Sequence, residues 1–198
     1  DEECVLFQVI QSAGAAFEQV EYVDIDGEPG CEIVVGRQVS DQLQRTLSVF
    51  SFAGGEARQL LSAGYNKYLS CDLNADGLKD LMLLRSGETE TDMGHAVLYS
   101  YADGALQRSR EAELSQQGTS IKRITVGALH GGETAVFVAS SVDDASIVTD
   151  VYALVNGKLT NVSMSNESGT SVKTVRNYYV YAEDIDNDGV LELPSLIP

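Results

Sequence analysis

The residues best suited to chemistry lie in three short acidic loops. Asp184-Ile-Asp186-Asn-Asp188-Gly189-Val190-Leu-Glu192-Leu193 is closely matched by Asp72-Leu-Asn74-Ala-Asp76-Gly77-Leu78-Lys-Asp80-Leu81. A worn copy, Asp24-Ile-Asp26-Gly-Glu28-Pro29-Gly-Cys-Glu32-Ile33, precedes both. Oxygen-bearing side chains recur at positions 1, 3, 5 and 9 of each loop. Position 7, Val190 or Leu78, can add a backbone carbonyl. Such a set suits a hard cation, and Ca²⁺ is the expected cofactor.

The three loops differ in quality. Asp184, Asp186, Asp188 and Glu192 supply four carboxylates, with glycine at the sixth position. Asp72, Asp76 and Asp80 supply three, supplemented by Asn74. Asp24, Asp26, Glu28 and Glu32 supply four, but Pro29 replaces the turn glycine and cannot adopt positive φ. Gly27 and Gly30 can reroute that backbone. Occupancy is therefore expected at the first two sets and weak or none at Asp24–Glu32. The competing reading is that these are metal-free turns, since Asp and Asn side chains form hydrogen-bonded turns alone. An EF-hand would need a helix after the loop and an acid at position 12, where Leu83 and Ser195 stand.

The elements that position these loops follow from a repeat. The acidic motifs begin at Asp24, Asp72 and Asp184, gaps of 48 and 112 residues. The longer gap is two periods. Its missing member is Gly127-Ala-Leu-His130-Gly131-Gly132-Glu133-Thr-Ala-Val136, which keeps glycines and lacks the ligands. A second signal shares the period: Gly54-Gly55, Asp103-Gly104 and Asn156-Gly157 each sit between alternating apolar runs, as hairpin turns do.

Each unit reads as four strands. In the second, Tyr65–Asp72 enters the loop, Asp80–Arg85 leaves it, and His95–Ala102 with Ala105–Glu113 form an outer hairpin. The exit strands, such as Leu81-Met-Leu-Leu84, are nearly all apolar, as strands covered on both faces are. The outer strands are polar. Gly36–Arg45 and Ser86–Gly94 read as connecting loops, expected to be the longest in each unit. The fold class is all-β: a β-propeller of four-stranded blades. One domain covers 1–198, with units 17–64, 65–119, 120–174 and a partial unit of 175–198 plus 1–16. Strands Val175–Asp184 and Leu191–Ile197 would combine with Cys4–Ile10 into a composite fourth blade. The alternative is an open arc of a larger ring.

Composition sets further bounds. Thirteen basic residues against 30 acidic ones give a net charge of −17, which argues against nucleic acid and anionic membrane surfaces as partners. Eleven of the acids lie in the three loops, so bound cations would remove much of the excess. No run of 18 apolar residues occurs, so no transmembrane helix is expected. The chain opens Asp1-Glu2-Glu3, and any signal peptide is expected to have been removed. Cys4, Cys31 and Cys71 include no CxxC pair that would suggest zinc. A Cys31–Cys71 disulfide is the lesser reading, buried apolar thiols the greater.

The motif Asp-x-Asp/Asn-x-Asp-Gly-x-x-Asp/Glu-Leu, ahead of an apolar strand, resembles FG-GAP/VCBS-type propeller repeats. These occur in integrin α-subunit propellers and in secreted or lipoprotein-anchored bacterial proteins. The likeness spans essentially the whole chain. It is good at Asp72–Leu81 and Asp184–Leu193, weaker at Asp24–Ile33 and lacks ligands at Gly127–Val136. It implies an extracellular or cell-surface protein, similar to bacterial surface lipoproteins, whose loops carry structural Ca²⁺.

Catalytic signals are sparse. There is no Gly-x-Ser-x-Gly elbow and no phosphate loop. Of the two histidines, His95 and His130, His95 begins a strand after a polar loop and reads as a surface residue. Tyr65, Tyr68 and Tyr178-Tyr179-Val-Tyr181 read as packing residues rather than sugar platforms. The expected function is a non-catalytic binding, scaffold or adhesion module with a protein or glycan ligand. The alternative is a polysaccharide-active lyase or hydrolase on the same fold. Asn161-Val-Ser and Asn166-Glu-Ser are glycosylation sequons if the source is eukaryotic.

Overall fold

The computed structural model describes residues 15–39, 45–53, 55–89, 91–163, 176–177 and 180–193. Among them every regular element is a strand. Three four-stranded antiparallel meanders follow one another along the chain. The first comprises β1 (Ala15–Val23), β2 (Glu32–Val39), β3 (Arg45–Ser51) and β4 (Arg58–Tyr65). The second comprises β5 (Lys67–Cys71), β6 (Asp80–Arg85), β7 (His95–Ala102) and β8 (Ala105–Glu113). The third comprises β9 (Ile121–Ala128), β10 (Thr134–Ser141), β11 (Ser146–Val155) and β12 (Lys158–Asn161).

By compactness the chain forms two units. One runs to Tyr65 and takes in Tyr101–Gln107; the other holds Asn66–Ser100 and the chain from Arg108 onward. In the first unit, Val34 pairs with Val49 and Leu47 with Ala63. Val23, Ile25, Val34, Leu47, Val49 and Leu60 are buried. Val20 and Tyr22, two apart on β1, are exposed. Gly36–Val39, expected as loop, belongs to β2: Gly36 pairs with Leu47 and Gln38 with Arg45. Ladder hydrogen bonds outweigh the polar composition there, as tertiary context overrides propensity in strands generally.

In the second unit the exit strands are buried without alternation. Leu81, Met82, Leu83 and Leu84 are each 0 % exposed, and Ala135–Ala139 are similarly covered. Consecutive burial means both faces are packed. One face joins the second and third sheets, through Met82, Leu84 and Leu98 against Val136, Val138 and Tyr152. The other face of the third sheet carries Ala135, Phe137, Val151 and Ala153 against Ala182, with Leu191 and Leu193 beside them. The Tyr152 hydroxyl donates to the Glu113 carbonyl (2.7 Å).

The hairpin turns take the conformation their sequences require. Asp103 and Gly104 have φ of 52° and 83°, and Asn156 and Gly157 of 52° and 74°. Two consecutive positive values define the turn that matches strand twist. Gly55 is also at positive φ; Gly54 lies outside the described residues.

One expectation is corrected. The connection after the exit strand is longest in its unit only for Ser86–Gly94; β10 and β11 are joined by residues 142–145 alone. The expected C-terminal strands Val175–Asp184 and Leu191–Ile197 lie partly outside the described residues; of the first, Arg176–Asn177 (β13) is a strand and joins the third sheet, pairing with Ser146–Ile147 of β11. Strand β12 is short and covers β11 only from Tyr152 to Val155, so β13 can pair at the other end of the same edge. The segment 180–193 is held by isolated bridges, Ala128 with Val190 and Glu183 with Glu192. Cys4–Ile10 and its pairing with the C-terminal segment lie outside the described residues.

Candidate metal centre

The second and fourth acidic motifs fold into the same loop, with four backbone-to-side-chain hydrogen bonds in common. The Asp72 carboxylate accepts the amides of Asp76 (3.2 Å) and Gly77 (3.0 Å); Asp184 accepts those of Asp188 (3.0 Å) and Gly189 (3.0 Å). Asn74 Oδ1 accepts from Asp76 N–H, and Asp186 Oδ1 from Asp188 N–H. Asp76 accepts from Leu78 N–H and Asp188 from Val190 N–H, both at 2.8 Å. The backbone turns at the same two places: Ala75 and Asn187 at φ 59° and 62°, Gly77 and Gly189 at 92° and 88°. Glycine meets the second requirement at no steric cost.

The first loop reaches a related shape by another route. Its positive φ values fall at Gly27 (74°) and Gly30 (126°), on either side of Glu28-Pro29. Asp24 accepts from Gly27 N–H and Asp26 from Glu28 N–H, both at 3.0 Å. Proline shifts the left-handed residue by one position, as its fixed φ demands.

The ninth position acts alike in all three loops. Glu32 accepts the Ile25 amide at 2.9 Å and Glu192 the Ile185 amide at 2.8 Å, and Asp80 accepts the Leu73 amide. This acid ties the start of the loop to the strand that leaves it. Glu32 and Asp80 are buried, at 3 % and 4 % exposure. Burial pushes the Asp80 carboxyl above its usual range, against the Ser100 hydroxyl bond that favours the ion; the Asp76 charge adds to the rise. Asp80 Oδ2 has no hydrogen-bond partner among the described residues.

Among the described residues, carboxylate oxygens converge at two places. Asp184, Asp186 and Asp188 bring theirs within 4.8 Å of one another, and so do Asp24, Asp26 and Glu32. The Asp24–Glu32 loop, expected to be the poorest, thus gathers three carboxylates despite Pro29. Glu28 is outside that group. In the Asp72 loop, Asn74 Nδ2 donates to Asp76 Oδ2 (2.7 Å), so the amide takes up one of the carboxylate oxygens. The donors of the two convergent sets are hard oxygens and fit a hard divalent cation, whereas Asp72, Asp76 and Asp80 do not bring three carboxylate oxygens together, although Asp80 presents a buried oxygen without a partner.

The degenerate third loop closes on its own backbone. Leu129 N–H bonds the Glu133 carbonyl (2.9 Å) and Gly132 N–H the Leu129 carbonyl (2.7 Å). A tight backbone turn needs no carboxylates, which accounts for their absence. His130 is exposed there.

A second polar site was not evident from the sequence. At the end of the second sheet remote from loop 72–79, a cleft of about 500 Å³ opens among Arg85, Glu88, His95, Arg108, Glu111 and Glu113. His95 Nδ1 lies 3.0 Å from Glu111 Oε1, and Arg108 contacts the same carboxylate. The available signal was modest: Glu111 and Glu113 share one face of a strand, and His95 follows the longest loop.

The remaining candidate residues are structural. Tyr65 and Tyr68 are buried, as packing residues are. Cys71 is a buried free thiol, its ionisation pushed up to about 12 by burial; Cys31 is free and exposed, contrary to the buried reading. The Asn161 side chain is engaged internally, its amide donating to buried Asp150 at 2.9 Å, so that sequon is not presented for modification. No protein-family model matches the chain, and no curated protein matches it. Among the described residues no helix is long and apolar enough to cross a membrane.

Proposed function

We propose that the chain is a Ca²⁺-stabilised β-propeller, or part of one, serving outside the cell as a non-catalytic binding or scaffold module. The observation that carries this reading is the identity of loops 72–80 and 184–192. Sequences 112 residues apart adopt one hydrogen-bond pattern with oxygen donors at the same positions. Asp184, Asp186, Asp188 and Glu192 would hold one ion; Asp72, Asn74, Asp76 and Asp80 a second; Asp24, Asp26 and Glu32 a third, weaker one. The Leu78 and Val190 carbonyls complete the first two sets. The bound ion would supply charge neutralisation at loops that join an inner strand to the next. Three successive four-stranded meanders support the propeller, with a fourth repeat at the C-terminus. The surface location rests on the resemblance to FG-GAP/VCBS-type repeats.

Binding to the native state alone stabilises it by RT ln(1+[L]/Kd), about 2.7 kcal/mol at 100 times Kd. Thermal melting with millimolar Ca²⁺ should therefore lie several degrees above melting with chelator. Coincident curves would mean that the loops are metal-free turns.

A further inference from the structure

The cleft at the end of the second sheet has a charge pattern that the acidic loops do not explain. Its volume, about 500 Å³, lies in the range of small-molecule sites. Four carboxylates, Glu88, Asp92, Glu111 and Glu113, face two guanidiniums, Arg85 and Arg108. Several of these charges are already engaged. Glu111 contacts both Arg108 and His95, and Asp92 Oδ2 accepts the Thr89 amide at 3.1 Å. Arg85, Glu88 and Glu113 remain with no ion pair among the described residues. An unpaired arginine is notable in a chain with 30 acids and 13 bases. Met93, 45 % exposed, gives the same cleft an apolar side.

We propose that this cleft binds a basic amino acid, free or at the end of a peptide. A carboxylate on the ligand would pair with Arg85, whose fork accommodates it in two parallel hydrogen bonds. Ammonium groups would pair with Glu113 and Glu88. The aliphatic stem would lie along Met93. The excess of negative charge in the cleft selects a second cation on the ligand over a neutral or acidic side chain. A divalent metal is the poorer occupant, because these carboxylates do not converge; among the described residues, groups of three occur only in the acidic loops. The assignment rests on the reading of the chain as a binding module and names a ligand class for it.

Calorimetric titration of the whole chain with free lysine, in saturating Ca²⁺, tests the assignment. Lysine should bind saturably. Cadaverine, which has the two amines and no carboxylate, should bind about tenfold more weakly. Glutamate should bind more weakly still. R85Q, at an exposed position, should lower lysine affinity to that of cadaverine or below and should not weaken cadaverine. E113Q should weaken both amines. Lysine heats that do not saturate would overturn the proposal, as would equal affinities for lysine and cadaverine, or an R85Q variant that binds lysine normally. A chain that Ca²⁺ stabilises but lysine does not bind would sink this assignment and leave the module reading standing.

Discussion

At the residue scale the decisive feature is the ninth-position acid. Glu32, Asp80 and Glu192 each accept the amide of the second loop residue, so each is structural before any ion arrives. Asp80 does this while buried, with one oxygen unpartnered. An unsatisfied buried polar group costs about 1–3 kcal/mol, and more if charged. Asp80→Asn keeps an acceptor for Leu73 and removes the charge. In chelator it should therefore leave stability unchanged or raise it. In Ca²⁺ it should cost about 1–3 kcal/mol relative to the native chain, through the lost ligand. Urea unfolding under the two conditions measures both signs; an equal loss in each would make Asp80 a structural acceptor only. Tyr65 offers a pH test. Burial, and then the Glu18 carboxylate beside its hydroxyl, push its ionisation from 10.0 up to about 12. The folded state keeps the proton that the unfolded chain loses first. Stability from this group is thus present below pH 10 and is lost as pH rises toward about 12. Tyr65→Phe should flatten that alkaline decline, and an unchanged slope would assign it to other groups.

At the element scale, close approach rather than propensity fixes the C-terminal segment. A Cβ on Gly127 of β9 would lie 2.3 Å from Leu191 Cδ1 and 2.4 Å from its Cγ. Gly127→Ala should cost about 1–3 kcal/mol by overpacking. Combining it with Leu191→Ala should recover part of that loss, a coupling that a double-mutant cycle detects. Strict additivity would show that the two sites do not touch. The strands of the second sheet were legible in the sequence almost to the residue: β6, β7 and β8 span the expected Asp80–Arg85, His95–Ala102 and Ala105–Glu113. Period-two patterning, full burial of the exit strand and an Asp-Gly turn all agree there. Gly36–Val39 was not legible, because a polar strand held by its neighbour's ladder has no hydrophobic signature. Nor was β13, since its partner site depends on how short β12 is. The acidic loops were readable because their chemistry is local in sequence. The cleft was not, because its charges come from three strands and a loop.

At the scale of the whole molecule, a net charge of −17 opposes compaction unless it is offset. Eleven of the acids lie in the three loops, so cations bound there would act on the fold as well as on each loop. This ties the repeat to stability. Loops 24–31 and 72–79 each join the first strand of a sheet to the strand that follows, and after the second loop that strand, Leu81–Leu84, is wholly buried. The central claim is that the matched loops are ion sites. Calorimetric titration of the chelator-treated chain with Ca²⁺ tests it most directly, with Asp72→Asn and Asp184→Asn as partners. The account predicts at least two bound ions per chain, one lost in each variant. Absence of saturable binding would contradict it, as would a lone site that survives both substitutions and disappears with Asp24→Asn.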